Sequence, residues 1–372
     1  MKDFDNSTRV FLELVRAGLW GNGNLDIRID GTKDWQEIYQ LATEQSVLGL
    51  VIAGLEHSDV KPPQSLLLQW IGEVQIIEQR NKEMNVFIAD MIEKLRKNDI
   101  YTLLVKGQGI AQSYEKPLWR SCGDVDFYLS EDNYKKAKEL LLPLATSVEP
   151  EGKYQKHLNM TMDSWVVELH GSMRSGLSKR MDKVIDEIHQ DIFYGGNVRS
   201  WKDESTLVFL PSSGNDVLIV FTHFLKHFFK GGIGLRQICD WCRLLYRYRS
   251  ELDLRLLESR IRKMGLMSEW KAFGAFAVEY LGMPIGAMPL YDGSSKWKQK
   301  ANKISRLTLD SNGIERRDKS YFGKYPYVIR KLISFSRRCG DLLRVATVFP
   351  MDSLRFFPSI VFRGLKSAAR GE

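Results

Sequence analysis

Two carboxylates, Asp124 and Asp126 in "CGDVDFYLS", stand one residue apart inside an apolar run, directly after Gly123. In the alternation of a strand, Asp124, Asp126 and Tyr128 share one face and Val125, Phe127 and Leu129 the other, so the two acids project side by side. Like charges at adjacent same-face positions repel, and partial burial raises the cost because charge leaves water. Something positive should stand between them. A third acid comes from "WVVELHGSM", where Val166, Glu168 and His170 share a face opposite Trp165, Val167 and Leu169. Three hard oxygen donors suit Mg²⁺, which keeps several waters and is often completed by substrate phosphates. Two such ions, one bridging Asp124 and Asp126 and one held partly by Glu168, would serve an in-line displacement at phosphorus.

The complementary half lies upstream, in Lys106-Gly107-Gln108-Gly109. Gly107 and Gly109 let the backbone approach phosphate oxygens closely, and the start of a following helix offers free N–H groups. Lys106 and Arg120 could neutralise the phosphate charge left over by the metals.

The elements that must position these residues follow from changes of period. Residues up to about Lys97 show apolar positions recurring at three and four, as in "DWQEIYQLATEQSVLGLVIAGLE" and the long stretch from Ser65 to Asn98, with Pro62-Pro63 between them. "IYTLLV" then reads as a short buried strand ending in the Lys-Gly turn, and "IAQSYE" as a short helix stopped by Pro117. "GDVDFYLS" is the next strand, and Ser130 the expected cap of the helix "EDNYKKAKELLLPL". "KYQKHLNMTM" and "WVVELHGSM" alternate on either side of Asp163-Ser164, the pattern of a hairpin. "NVRSWKDESTLVFLP" is either a further strand or a crossing back over the core.

This ordered set resembles the DNA polymerase beta-like nucleotidyltransferase superfamily, and more closely its bacterial uncharacterised nucleotidyltransferase family. The matching residues are Lys106-Gly107, Arg120, Gly123-Asp124-x-Asp126, Glu168-Leu169-His170, and Leu235-Arg236 before Asp240, within roughly residues 30 to 250. The resemblance implies Mg²⁺-dependent transfer of a nucleoside monophosphate from a nucleoside triphosphate to an acceptor hydroxyl. Asp124, Asp126 and Glu168 would be the catalytic metal ligands for two ions, and Lys106, Gly107, Gln108, Arg120 and Gly123 the nucleotide site. The acceptor, whether small molecule, protein or RNA, stays open. The chain departs from the pattern at Gln108, where superfamily members commonly carry serine or glycine, and the run from Gly107 to Asp124 is longer than in the smallest members.

The expected fold class is α+β: a small mixed-sheet nucleotidyltransferase core (98–175) flanked by an N-terminal helical region (1–97) and a mostly helical C-terminal domain (176–318), with a basic, aromatic-rich tail (319–372). The 372 residues, 44% hydrophobic and 27% charged, are those of an ordinary globular chain. No apolar run approaches the roughly 20 residues of a membrane span, and the N-terminus lacks a leader pattern, so a cytoplasmic setting is expected. Four scattered cysteines make no disulfide framework. The net charge of +8 resides in the tail, which could lie on nucleic acid or an anionic membrane, or pack its aromatics on the body with charges outward.

Other residues carry two readings. His223 and His227, four apart in "THFLKHFF", could meet a metal or border the cleft, but Phe224 stands where HEXXH has Glu. His170 could orient a carboxylate or be structural, and Arg236 and Asp240 could simply pair along a helix. Cys239 and Cys242 read as core. Two further hypotheses stand beside the enzyme: a catalytically degenerate nucleotide-binding or partner-binding module, and a nucleic-acid-binding protein acting through the tail.

Overall fold

The computed structural model describes residues 4–21, 34–151, 156–203, 205–230, 232–309 and 327–358. Helices α1 (Asn6–Trp20), α2 (Trp35–Glu44), α3 (Leu48–Glu56) and α4 (Gln64–Arg96) come first. The periodic stretch from Asp34 to Glu56 forms two helices. Ser46, at φ 55°, breaks it, a conformation in which no helix continues. Asp5 and Asp34 cap α1 and α2 with their side-chain oxygens.

The central unit follows: β1 (Thr102–Val105), α5 (Gly107–Ala111), β2 (Asp124–Leu129), α6 (Glu131–Leu141), β3 (Ser147–Val148), β4 (His157–Met162) and β5 (Trp165–His170). Its strands form one sheet in the order β1-β2-β5-β4-β3, with β2 and β5 parallel and the other neighbours antiparallel. This is the expected α+β class, a mixed sheet flanked by helices. Ser130 caps α6 and the hairpin closes at Met162 and Trp165, both as the sequence predicts.

Period two divides the sheet into a dry face and a wet one. Val125, Phe127, Leu129, Val167 and Leu169 are buried with Met84, Ile88 and Ile92 of α4 and Tyr134 and Leu141 of α6. The opposite face presents Asp124, Asp126, Glu168, His157 and His170 toward the rest of the molecule.

Beyond the sheet lie α7 (Lys179–Phe193), β6 (Val198–Asp203), β7 (Thr206–Pro211), α8 (Ser213–Lys230), α9 (Leu235–Arg247), α10 (Leu254–Met264), α11 (Met267–Leu281), α12 (Ser295–Leu309) and α13 (Tyr327–Ala346). The segment left open in the sequence is a self-paired hairpin, β6 with β7, whose Val208 and Leu210 join the dry-face core. The first and last helical regions share a single core. Trp20 Nε1 donates to Leu281 O at 2.6 Å and Arg16 Nε to Tyr280 O at 2.9 Å, so α1 is docked on α11. Of the basic tail, 319–326 and 359–372 lie outside the described residues. The described part, 327–358, puts Phe349 and Phe356 into the core beside Phe228 and Phe229. No helix among the described residues is long and apolar enough to cross a membrane. The cysteines are free, and Cys239 and Cys242 are buried in α9.

One buried acid distant from the sheet carries a prediction. Glu269, in the first turn of α11, is fully buried, with the Asp352 carboxyl beside it. Burial, then the nearby Asp352 charge, pushes its pKa well above the carboxylate range. The folded chain therefore holds this proton where the unfolded chain has lost it, so stability from this source falls as pH rises from the ordinary carboxylate value through the raised one. Glu269→Gln is expected to lack the decline and to be more stable than the parent above that window, by about 1.4 kcal/mol for each unit by which the folded pKa is raised. Urea unfolding at several pH values checks this; an unchanged pH slope in the variant would refute it.

Candidate active site

At the end of β1 the chain kinks. Lys106 takes φ 57° and ψ −147°, a region that costs a non-glycine residue on the order of 1–3 kcal/mol and is typical of residues held for function. The kink brings Lys106 Nζ to Asp126 Oδ1 at 2.6 Å. Gly107 follows at φ 37°, and a side chain there would also press on the Asp124 carbonyl oxygen, 3.3 Å from where its Cβ would lie. The glycine is thus needed to pass β2 closely.

Asp126 and Glu168 are direct partners in the parallel β2–β5 register, which places all three acids together. Ligand oxygens of Asp124, Asp126 and Glu168 lie within 4.8 Å of one another. The Asp126 side chain is fully buried; its Oδ1 receives Lys106 and, at 2.7 Å, His170 Nε2, while Oδ2 has no partner among the described residues. Burial first, then repulsion from Asp126 and Glu168, raises the pKa of Asp124. Burial would raise Glu168 as well, but hydrogen bonds from His157 and His170 and the Lys106 charge outweigh it and hold this carboxyl far below its usual range. The same acids keep the Lys106 ammonium above its ordinary value although burial opposes it.

Lys106, Asp124, Glu168 and His170 floor a cleft of about 300 Å³, with Asp126 buried behind them. Its far wall is α8 and α9, which bring in His223, His227, Arg236 and Asp240. Their partners differ from expectation. Arg236 and Asp240 do not pair along α9: Arg236 Nη1 donates to Ser121 O at 2.7 Å, and Asp240 accepts both arms of Arg120 at 2.7 Å and Tyr114 Oη at 2.7 Å. Arg120 is accordingly a buried strut between the loop before β2 and α9, its fork filled by Asp240 and therefore not offered to phosphate. Arg236, whose Nε is buried without a partner, is the better placed cation. His223 and His227 face each other with Nε2 atoms 3.1 Å apart. Burial, with help from Lys106, holds His223 well below its ordinary value; burial and Lys226 bring His227 down to about 4, so both are neutral at pH 7.

Two expectations about the turn are corrected. The Gln108 side chain points away from the cleft, donating to Asn81 Oδ1 of α4 at 2.7 Å, so it does not stand in the place of a phosphate-binding serine. Gly109 serves packing, since a Cβ there would fall 2.9 Å from Leu210 Cδ2 of β7. Gly123, by contrast, lines the cleft with open space before it.

His157 was missed. Its Nε2 lies 3.1 Å from Glu168 Oε2, and its ring stacks on His170 with centroids 4.6 Å apart. The signal was present: a two-residue turn at Asp163-Ser164 forces His157 opposite His170. Ser172, Met173, Arg174 and Ser175, which follow β5 and complete the rim, carry no sequence signature.

Three acids converging beside a lysine can serve polyphosphate chemistry by gathering cations between protein and substrate, and the class that this sheet and cleft define is that of enzymes transferring nucleotidyl groups. Residues 31–282 match the family described as uncharacterised nucleotidyltransferase, and the chain belongs to that family. No curated protein and no solved structure matches it significantly.

Proposed function

We propose that the protein moves a nucleoside monophosphate from a nucleoside triphosphate to an acceptor hydroxyl with the help of two Mg²⁺ ions. The observation that carries this reading is the convergence of Asp124, Asp126 and Glu168 within 4.8 Å, with the buried Asp126 Oδ2 unpartnered. An all-oxygen donor set on rigid strands fits a hard cation. Asp124, Asp126 and Glu168 would hold the ions, which when bound lower the pKa of the acceptor hydroxyl and offset the charge on the phosphates.

The chain's own groups do the rest. Lys106, held at the kink, supplies a fixed positive charge at the mouth of β1, and Arg236 a second one from α9. Glu168 is read as a ligand because a carboxylate oxygen of its side chain lies with those of Asp124 and Asp126. The neutral His223–His227 pair offers hydrogen-bonding groups without adding charge beside the phosphates.

The test is incubation of the full chain with each labelled nucleoside triphosphate and Mg²⁺ in cell extract. A labelled acceptor and released pyrophosphate are expected, both lost with chelator and in Glu168→Gln. Nucleotide binding without turnover on any acceptor would instead mark a binding module, and label transfer unaffected by chelator would refute metal dependence.

A further inference from the structure

Four of the chain's six histidines, His157, His170, His223 and His227, line the acidic cleft. A site for Mg²⁺ alone does not account for this concentration of nitrogen, because that ion takes oxygen donors and sheds water reluctantly. Two of the four are placed as ligands. His157 and His170 are register partners on β4 and β5, their rings stacked at 11°, and their Nε2 atoms reach the same oxygen, Glu168 Oε2, at 3.1 and 3.3 Å. One nitrogen or oxygen from each of the three residues lies within 4.8 Å of the others. The fully buried Asp126 borders the same point, its Oδ1 2.7 Å from His170 Nε2 and its Oδ2 unpartnered. An imidazole nitrogen so placed can donate a proton to Glu168 or offer its lone pair to an ion shared with Glu168.

We infer that the cleft contains a cation site of mixed donors, His157 Nε2, His170 Nε2 and Glu168, which takes a divalent transition ion that accepts imidazole, Zn²⁺ foremost, with Mn²⁺ as its paramagnetic reporter. Two imidazoles and one carboxylate are a donor set that Zn²⁺ takes in catalytic sites, whereas Mg²⁺ takes oxygen. The inference rests on the reading of Asp124, Asp126 and Glu168 as an oxygen-donor site, since Glu168 belongs to both. It adds that the cleft distinguishes two kinds of ion: one position satisfied by Mg²⁺, the other selective for a metal that accepts nitrogen.

The decisive experiment needs no variant. The full chain, stripped of metal and free of nucleotide, is titrated with one and then two equivalents of Mn²⁺ and examined by pulsed electron paramagnetic resonance for coupling to ligand nitrogen. The same measurement is repeated on protein grown with nitrogen-15 histidine. Expected is imidazole-type coupling that changes to the nitrogen-15 pattern in the labelled protein. His157→Ala should in addition bind Mn²⁺ at least about tenfold more weakly, the scale already seen when a residue that merely supports a ligand is lost. Mn²⁺ bound without nitrogen coupling at either loading overturns the inference and leaves the oxygen-donor reading standing; a chain that binds no Mn²⁺ overturns both.

Discussion

Asp126→Asn is expected to reduce nucleotidyl transfer by on the order of a thousandfold or more, about 4 kcal/mol of lost transition-state stabilisation, with little change in fold stability. The asparagine has the same shape and keeps one oxygen for Lys106 and His170, so packing is retained. It lacks the second anionic oxygen, and Asp126 Oδ2 is the buried atom for which the described residues offer no donor. Two opposing effects on stability roughly cancel: repulsion with Asp124 and Glu168 is relieved, and the ion pair with Lys106 at 2.6 Å is lost. Single-turnover rates with a labelled nucleoside triphosphate, paired with urea unfolding of both proteins, separate these effects. Transfer retained within about tenfold would remove Asp126 from the ligand set.

That prediction concerns the part of the site most legible in the sequence. Side-chain direction in a strand depends only on odd or even position, so "GDVDFYLS" places Asp124 and Asp126 on one face without knowledge of the tertiary structure. The hairpin at Asp163-Ser164 then fixes which residues of β4 face Glu168 and His170, because a tight turn sets the register of the whole pair. Gln108 was misread for the opposite reason. The direction of a side chain in a five-residue helix depends on the residue at which the helix starts, and α5 begins at Gly107 itself, which turns Gln108 down toward Asn81. The break at Ser46 was hidden likewise: the apolar period runs through it, and nothing in the residue type marks the positive φ there. Partners far apart in sequence, such as Arg120 and Asp240, leave no local trace at all. Charge type announces that such residues need something, and the fold alone decides what.

For Arg120 the consequence is measurable. Arg120→Met is expected to destabilise the protein by about 3–5 kcal/mol, the cost of leaving one member of a buried ion pair without the other. Asp240, with a side chain only 6% exposed, would keep Tyr114 Oη as its single neighbouring donor among the described pairs. Adding Asp240→Leu to that variant should recover much of the loss, since replacing both partners by apolar groups removes the uncompensated charge. A phosphate-binding arginine would behave differently: its loss would weaken nucleotide binding while leaving stability nearly unchanged, and the second substitution would restore nothing. Unfolding free energies for the two single variants and the double variant, measured with their nucleotide affinities, distinguish these cases through the coupling energy. The strut also joins the loop carrying Ser121, Cys122 and Gly123 to α9, with Arg120 Nη1 2.7 Å from Cys122 Sγ. Weakened nucleotide binding should therefore accompany the instability of Arg120→Met and be partly relieved in the double variant. If affinity collapsed in Arg120→Met with stability intact, the guanidinium would have to be returned to the substrate.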